Sequence, residues 1–372
     1  MLLFSASVIL ESLLAIGQFL KQGSIGGILY FLGERTFTGS TPGIANASLN
    51  GELVLRPYAT FPHPNVMAGF LLVSMILVLG FLLNSKRHCE ALKWLWQSLL
   101  TGRFKKDCFA SLAMTAALIL GTIALFLSMS RIAILLWVVI ICYYFIKKII
   151  YSSSKRSASR SSVIPAKAGI HPSASSGGTG PRIKSGMTRF VGVPFCIVAI
   201  AVFIFSPLGL RFTKIANTDE AVVQREVLIS SSIKMIESSP LFGVGLGNFI
   251  PVLSKIQKPL SLGLYLQPVH NIFLLVASET GIVGLTFFLW FLWKTFRQLF
   301  TRHCEAMKRP RQSLKIWDCF ASLAMTSEGV LLVAFSAILI LGLFDHYWLT
   351  LQQGQLLFGF ILGMCWAKID KA

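Results

Sequence analysis

PNVMAGFLLVSMILVLGFLLN, residues 64–84, is an apolar run that contains no charged side chain. A run of about 18 or more apolar residues is typical of a helix that crosses a lipid bilayer. Comparable runs recur along the chain and predict about eight spans. These lie at roughly 2–20, 64–84, 112–130, 132–150, 190–207, 271–293, 329–347 and 349–367. We therefore predict an all-α, polytopic integral membrane helical bundle that forms one domain over residues 1–372.

The composition agrees with a membrane protein, because 54% of the residues are hydrophobic and only 13% are charged. Soluble domains average about a quarter charged residues. The net charge of +19 would suggest a nucleic-acid partner for a soluble protein, but in a membrane protein it reports topology. With a cytoplasmic N-terminus, the predicted inner segments hold 24 of the 34 Lys and Arg residues. We therefore predict this orientation and no nucleic-acid partner.

Two sequence blocks are repeated in the predicted cytoplasmic segments. RHCEA occurs at 87–91 and 302–306, and DCFASLAMT occurs at 107–115 and 318–326. The flanking spans do not repeat with them, so the blocks resemble translated copies of a repetitive DNA element rather than a duplicated fold. No zinc or other metal site is predicted, because adjacent His-Cys pairs without a CxxC spacing suit a tetrahedral site poorly. We predict cytoplasmic inserted loops at 85–111, 152–189 and 302–328.

Residues 207–270 form the longest segment that is predicted to lie on the outer side. Within it, TDEAVVQREVLISSSIKMIESSP (218–240) has a helix start signal and ends at a proline. The 3.6-residue period predicts one face with Val222, Arg225, Ile229, Ser232 and Ile236. Arg225 could then bind a phosphate through its planar fork; a surface ion pair with a nearby glutamate is the alternative. GVGLGNF (243–249) predicts a flexible turn or, alternatively, a phosphate-binding nest of backbone N–H groups.

Further candidate side chains fall at other outer positions. In RPYATFPHPN (56–65) the prolines prevent a regular helix and place His63 and Asn65 at the membrane boundary, where unpaired N–H groups can bind an anion. Arg131 follows a connection so short that it must lie at the outer membrane face. His270 precedes the sixth span and could accept a proton from a hydroxyl at neutral pH. For each of these the alternative is a residue that only anchors the chain at the interface.

The ordered set RPYATFPHPN, SMSRIA, QRE with SPLFGVGLGNF, and HNIFLLVASETGIVGL resembles the O-antigen ligase/polymerase family of bacterial inner-membrane proteins. The resemblance covers roughly residues 25–84, 115–150 and 190–365. It implies a GT-C-like fold with a largely helical periplasmic loop at 207–270. It also implies transfer of a glycan from undecaprenyl diphosphate, at the periplasmic face, to an acceptor hydroxyl of lipid A–core, a repeat unit or a protein. Members have more spans, so the chain is expected to begin partway into the family's fold.

The resemblance also implies roles for individual residues, without any cofactor or metal. The diphosphate would be held by Arg131 and Arg225, with Arg56 as a further candidate. His270 would be the base or would orient the acceptor hydroxyl, Asn271 would support it, and His63 and Asn65 would shape the site. The alternatives are a polymerase that joins repeat units and a non-enzymatic transporter of lipid-linked glycan. A transporter needs polar residues at mid-membrane, where this chain has little beyond Glu11, which is predicted to face protein.

Overall fold

The computed structural model describes residues 1–49, 51–84, 106–144, 220–257, 266–308 and 326–367. These residues are mostly helical, as predicted. The helices are α1 (Leu2–Lys21), α2 (Ile28–Phe31), α3 (Pro64–Asn84), α4 (Lys106–Leu127), α5 (Arg131–Tyr144), α6 (Glu220–Ser238), α7 (Phe249–Ile256), α8 (Ile272–Lys308), α9 (Ser327–Gly342), α10 (Tyr347–Thr350) and α11 (Gln352–Trp366). Strands β1 (Asn46–Leu49) and β2 (Glu52–Leu55) form an antiparallel hairpin.

Three of these helices, α1, α3 and α8, are long and apolar enough to cross a membrane. Shorter apolar helices occupy the predicted spans that begin at 112, 132 and 329, and α11 occupies the last one. The predicted span 190–207 lies outside the described residues, so the count of eight stays a prediction. By its contacts the chain divides into residues 1–136 with 211–372 and residues 137–210. Every residue of the candidate site belongs to the first unit.

The central helix of the first unit is α3, whose middle is almost wholly buried. Gly80 approaches Val330 of α9, whereas Gly69 approaches Tyr347 beyond the end of α9. Residue numbers therefore rise along α3 as they fall along α9, and the two helices are antiparallel. The start of α3 and the end of α9 consequently lie at the same end of the bundle, where the polar residues gather.

Polar side chains of α1 hold the loop that leads into α3. Gln18 is fully buried; its Nε2 donates to the Ala59 carbonyl (3.1 Å), and its Oε1 accepts from the Tyr58 and Ala59 N–H groups (2.9 and 2.8 Å). Glu11 accepts from the Thr60 hydroxyl (2.8 Å) and backbone N–H (3.2 Å). The prediction that Glu11 faces protein is thus confirmed. The two side chains start from positions about 10 Å apart along α1, yet they hold the consecutive loop residues Ala59 and Thr60.

The helix α8 is broken at Gly281, where φ is 64° and ψ is −167°. The break frees backbone groups that would be costly to bury without partners. The segment between α6 and α7 supplies those partners: Ile282 N–H donates to the Pro240 carbonyl (2.9 Å), and Val283 N–H donates to the Leu241 carbonyl (3.3 Å). The PLFGVGLGNF and SETGIVGL motifs are therefore two halves of one backbone junction.

Pairing across the same junction corrects the flexible turn and the phosphate nest predicted for GVGLGNF. Val244 N–H donates to the Ser278 carbonyl and Gly245 N–H to the Glu279 carbonyl, both at 2.9 Å. Gly243 N–H donates to Ser239 (2.9 Å). The glycines allow a very close approach, because a Cβ on Gly243 would overlap the backbone of Glu279 and Thr280. The Val244 and Gly245 N–H groups hold the turn on α8, and that of Gly243 is bonded to Ser239. These three groups are therefore not available to an anion.

The buried face of α6 differs from the predicted one. It carries Leu228, Ser231, Ser232 and Met235, whereas Ile229 is 43% exposed and Arg225 is exposed. The reason is a polar contact between helices: the Ser232 hydroxyl lies 2.6 Å from that of Ser278 on α8. The predicted face thus contained Ser232 but missed Leu228, Ser231 and Met235, which are buried beside it.

Helices extend into two of the predicted inserted loops. α8 continues to Lys308, so residues 302–308 are helical, and α4 begins at Lys106. His303, from the second RHCEA copy, is fully buried, and its Nδ1 lies 2.6 Å from the Thr326 hydroxyl. The second repeat thus contributes to the packed structure. Residues 85–105, 152–189 and 309–325 lie outside the described part of the chain.

Candidate functional site

A chain of hydrogen bonds joins the start of α3 to the end of α9. Asn65 Nδ2 donates to Asp345 Oδ2 at 3.0 Å, and Asn65 Oδ1 accepts from Arg56 Nη2 at 2.6 Å. On the other side of the carboxylate, Asp345 Oδ1 lies 3.4 Å from His270 Nδ1. Asp345 is buried in the connection between α9 and α10. The structure therefore brings the predicted residues Asn65 and His270 onto one acidic side chain that was not predicted, and Arg56 is joined to it through Asn65.

A second histidine completes the group. The His346 ring centroid is 5.2 Å from that of His270, and its Nδ1 lies 2.6 Å from the Thr350 hydroxyl. The backbone N–H of His346 donates to Asp345 Oδ1 at 2.9 Å. One ligand atom from each of His270, Asp345 and His346 lies within 4.8 Å of the others, a spacing that could hold a metal ion. The hydrogen bonds that Asp345 already accepts support a different use, as the orienting partner of His270.

Burial and the neighbouring polar side chains together set the ionisation of Asp345. Burial opposes its negative charge, but the hydrogen bond and charge of His270, the charge of His346 and the hydrogen bond from Asn65 outweigh burial. Together they hold the pKa of the Asp345 carboxyl well below its usual range. Asp345 is therefore a carboxylate at neutral pH and can favour a positive charge on a neighbouring imidazole.

Two other histidines are kept neutral. Burial, and then the charge of Arg56, lower the pKa of His63 to about 4. Burial likewise lowers the pKa of His346 to about 4, although the charge of Asp345 raises it. His63 Nδ1 accepts from the Asn65 N–H at 3.2 Å, which agrees with a neutral ring protonated on Nε2. His63 and His346 therefore add hydrogen-bonding groups to the site without adding charge.

Arg56 connects the hairpin side of the site to the end of α4. Its Nε donates to the Ser128 carbonyl at 2.8 Å while its Nη2 binds Asn65. Arg131 follows three residues later, at the first position of α5, so its Cα lies within about 11 Å of that of Ser128. The reversal between them passes through Met129, whose φ is 53°. Arg56 and the half-buried Arg131 thus lie on neighbouring parts of the same end of the bundle.

The position of Arg225 follows from the way α6 runs beside α8. Ser232 is level with Leu274 and Ser278, and Pro240 is level with Ile282. The two helices are therefore parallel. Arg225 lies two turns before Ser232, so it is level with the residues near 270 that precede α8. Because seven residues make almost two full turns, Arg225 shares the side of Ser232 that faces α8. It is exposed because α8 begins only at Ile272.

Asn271 has a positioning role in the structure. Its Oδ1 accepts from the Phe273 and Leu274 N–H groups (2.9 and 3.0 Å), so it caps the start of α8. Its Nδ2 donates to the Leu343 carbonyl at 3.2 Å, at the end of α9. Asn271 therefore fixes the backbone next to His270 to the segment that carries Asp345.

Sequence reasoning missed Asp345 and His346, which fall at the end of the predicted span 329–347. A usable signal was present: a carboxylate and an imidazole at the boundary of two apolar runs are costly unless they are paired. The Asp345 partners His270 and Asn65 lie 75 and 280 positions away along the chain. Sequence spacing alone does not show such pairings.

The family comparison agrees with the motifs. Residues 116–289 match the family model described as O-antigen ligase, which confirms the resemblance. The matched segment contains Arg131, Arg225 and His270 and ends before Asp345. No curated protein matches the chain. The match and the apolar helices together indicate an integral membrane protein with a role in polysaccharide assembly.

Proposed function

We propose, because residues 116–289 match the O-antigen ligase family, that this protein is a glycosyltransferase of the ligase type. It takes a glycan from undecaprenyl diphosphate at the periplasmic face of the bacterial inner membrane and joins it to an acceptor hydroxyl, such as one on lipid A–core. The observation that carries the proposal is the pairing of His270 with the buried carboxylate of Asp345 at 3.4 Å. The start of α3, the start of α8 and the end of α9 meet at this pair.

The pair suits general-base catalysis. If Nδ1–H of His270 points at Asp345, then Nε2 keeps its lone pair and can take the proton of the acceptor hydroxyl. The Asp345 carboxylate then stabilises the imidazolium that forms. A separation of 3.4 Å is long for such a bond, and we expect it to shorten as His270 becomes charged. The cap made by Asn271 keeps His270 in place during this step.

The bond changes balance without a cofactor. The acceptor oxygen attacks the anomeric carbon of the donor sugar, and the bond from that carbon to the diphosphate oxygen breaks. The electron pair leaves with the diphosphate, and the hydroxyl proton goes to His270. The growing negative charge on the leaving group is the charge that Arg131 and Arg225 would stabilise, with Arg56 nearby. Attack from the face opposite the leaving group would invert the anomeric configuration.

The same arrangement would serve a polymerase, which differs only in taking another repeat unit as acceptor. A transporter of lipid-linked glycan is the less favoured alternative. Glu11, the mid-span charge, is bonded to Thr60, so it serves the loop before α3. The ionisable groups of the candidate site all lie at one end of the bundle, which supports one-sided chemistry.

Complementation tests this function. The intact chain is expressed in one strain that lacks its O-antigen ligase and in another that lacks its polymerase, and surface polysaccharide is analysed by gel. We expect rescue of the ligase-deficient strain by the intact chain, with loss of rescue in His270→Ala and Asp345→Asn. Lys255→Gln, an exposed cation on α7, is the matched control and should rescue normally. Failure to rescue either strain by protein that reaches the membrane would overturn the enzymatic reading.

A further inference from the structure

A basic groove lies at the other end of α8, far from the candidate site. The ends of α8 and α11 are tied together there: Arg302 Nη1 donates to the Cys365 and Ala367 carbonyls (3.0 and 3.1 Å), and Trp366 Nε1 donates to the Thr295 hydroxyl (3.0 Å). Between the two helices is a cavity of 410 Å³. This volume falls within the range of small-molecule sites, about 300–1,000 Å³.

The groove is positively charged. Lys294, Arg297 and Arg302 line it together with one carboxylate, Glu305. Two of the cations lie over indole rings: Lys294 Nζ is 5.6 Å from the Trp290 ring centroid, and Arg297 Cζ is 5.3 Å from that of Trp293. Such contacts keep the cations beside apolar surface rather than extended into water. The combination favours a ligand that is anionic on one side and apolar on the other.

The position of the groove along α8 is the one expected for a site at the surface of a membrane. From the break at Gly281 to Gln298, which lines the groove, α8 rises by about 26 Å, close to the thickness of a hydrocarbon core. Along this stretch large side chains are exposed, Phe287 by 67% and Trp290 by 55%. Trp, Lys and Arg together are typical of the headgroup level at the ends of a span. Along α8, the groove therefore lies about one hydrocarbon-core thickness from the break at Gly281.

We infer that this groove binds the phosphate headgroup of an anionic phospholipid from the cytoplasmic leaflet. The cations contact the phosphodiester oxygens, and the acyl chains lie along the exposed indole surface of α8. The inner leaflet is the relevant one because the basic segments place this end of the bundle in the cytoplasm. The adjoining apolar surface selects a lipid over a free phosphate. This inference does not depend on the glycosyl-transfer reaction.

Native mass spectrometry of the full chain from nanodiscs tests the site. The protein is reconstituted in phosphatidylcholine with a graded fraction of phosphatidylglycerol, and retained phosphatidylglycerol is counted. Each basic residue near a membrane surface strengthens anionic lipid binding about fivefold, so Lys294→Gln with Arg297→Gln should weaken retention about 25-fold. Glu305→Gln should change retention in the opposite direction, because it removes the one lining carboxylate.

Controls distinguish the sources of the phosphate. Lys255→Gln removes the same charge from an exposed position on another helix and should leave retention unchanged. Soluble sn-glycerol 3-phosphate, which has the headgroup chemistry without acyl chains, should not displace the lipid. Equal retention by the double variant and the wild type, or displacement by the soluble phosphate, would overturn the inference. Thermal unfolding of each variant in the same nanodiscs checks that it is folded.

Discussion

The Nδ1 atom of His270 lies 3.4 Å from Oδ1 of Asp345, although 75 positions separate the two residues in the chain. The contact exists because two anchors converge. Asn65 binds the other carboxylate oxygen from the start of α3, and Asn271 ties the segment before α8 to the end of α9. A histidine that could have been an interfacial residue is thereby fixed against a buried anion.

Asp345→Asn keeps the size of the side chain but removes its charge. The variant no longer stabilises an imidazolium at His270, so we expect the rate of glycan transfer to fall by about a hundredfold or more. The measurement is transfer from a lipid-linked donor by purified protein in detergent. Glu237→Gln, an exposed carboxylate on α6, is the control. Transfer at the wild-type rate by Asp345→Asn would contradict the role of the pair.

Arg225→Gln should raise the donor concentration needed for half-maximal rate. An arginine that binds phosphate contributes about 1.5–3 kcal/mol, so the loss in kcat/KM should be about tenfold to a hundredfold. Lys234→Gln on the same helix removes an exposed charge on a different side and should have little effect. Arg225→Lys keeps the charge without the paired N–H groups and should be intermediate. Identical kcat/KM for the Arg225 and Lys234 variants would argue against a diphosphate contact.

Stability should fall as the pH drops below neutrality. His63 and His346 have pKa values lowered from 6.5 to about 4 in the folded protein, so the unfolded chain binds more protons between these values. Their contribution is present in full above pH 6.5 and is lost as the pH falls through 4, by up to about 3 kcal/mol each. Asp345, whose folded pKa is lowered, adds a further loss once the pH falls below the unfolded value of 3.8.

Thermal unfolding in detergent at about pH 7.5 and at about pH 5 measures this dependence. The first condition lies above the histidine pKa of the unfolded chain, and the second lies between the unfolded and folded values. His63→Gln and His346→Gln should each reduce the difference in Tm between the two conditions. The same difference in both variants and in the wild type would show that these histidines are not the buried neutral groups described above.

Gly281→Ala should destabilise the junction between α8 and the 240–249 segment. A Cβ at Gly281 would overlap the Leu241 carbonyl, and its φ of 64° with ψ of −167° is a backbone conformation that essentially only glycine adopts, which disfavours alanine by about 1–3 kcal/mol before that overlap is counted. The matched control is Gly359→Ala in α11, where a Cβ meets no neighbour within 4 Å. That control should be neutral or gain up to about 1 kcal/mol. A similar Tm for both variants would contradict the junction.

Much of the fold could be predicted because lipid imposes length and apolarity on a span, as in residues 64–84. The gathering of Arg56, Asn65 and His270 at one end of the bundle agrees with the side that the charge pattern predicts for all of them. The pairing with Asp345 could not be predicted, because it depends on the antiparallel packing of α3 on α9. The break at Gly281 was equally hidden, since one glycine in an apolar run carries no local signal until Pro240 and Leu241 dock on it.

His303 shows what a translated repeat can become. The pentapeptide around it also occurs at 87–91, yet at 302–306 it forms the last turns of a membrane helix, and His303 bonds to Thr326 across the next connection. Removing residues 302–326 from the gene would therefore delete the His303–Thr326 contact together with Arg302 and Glu305, two residues that line the basic groove.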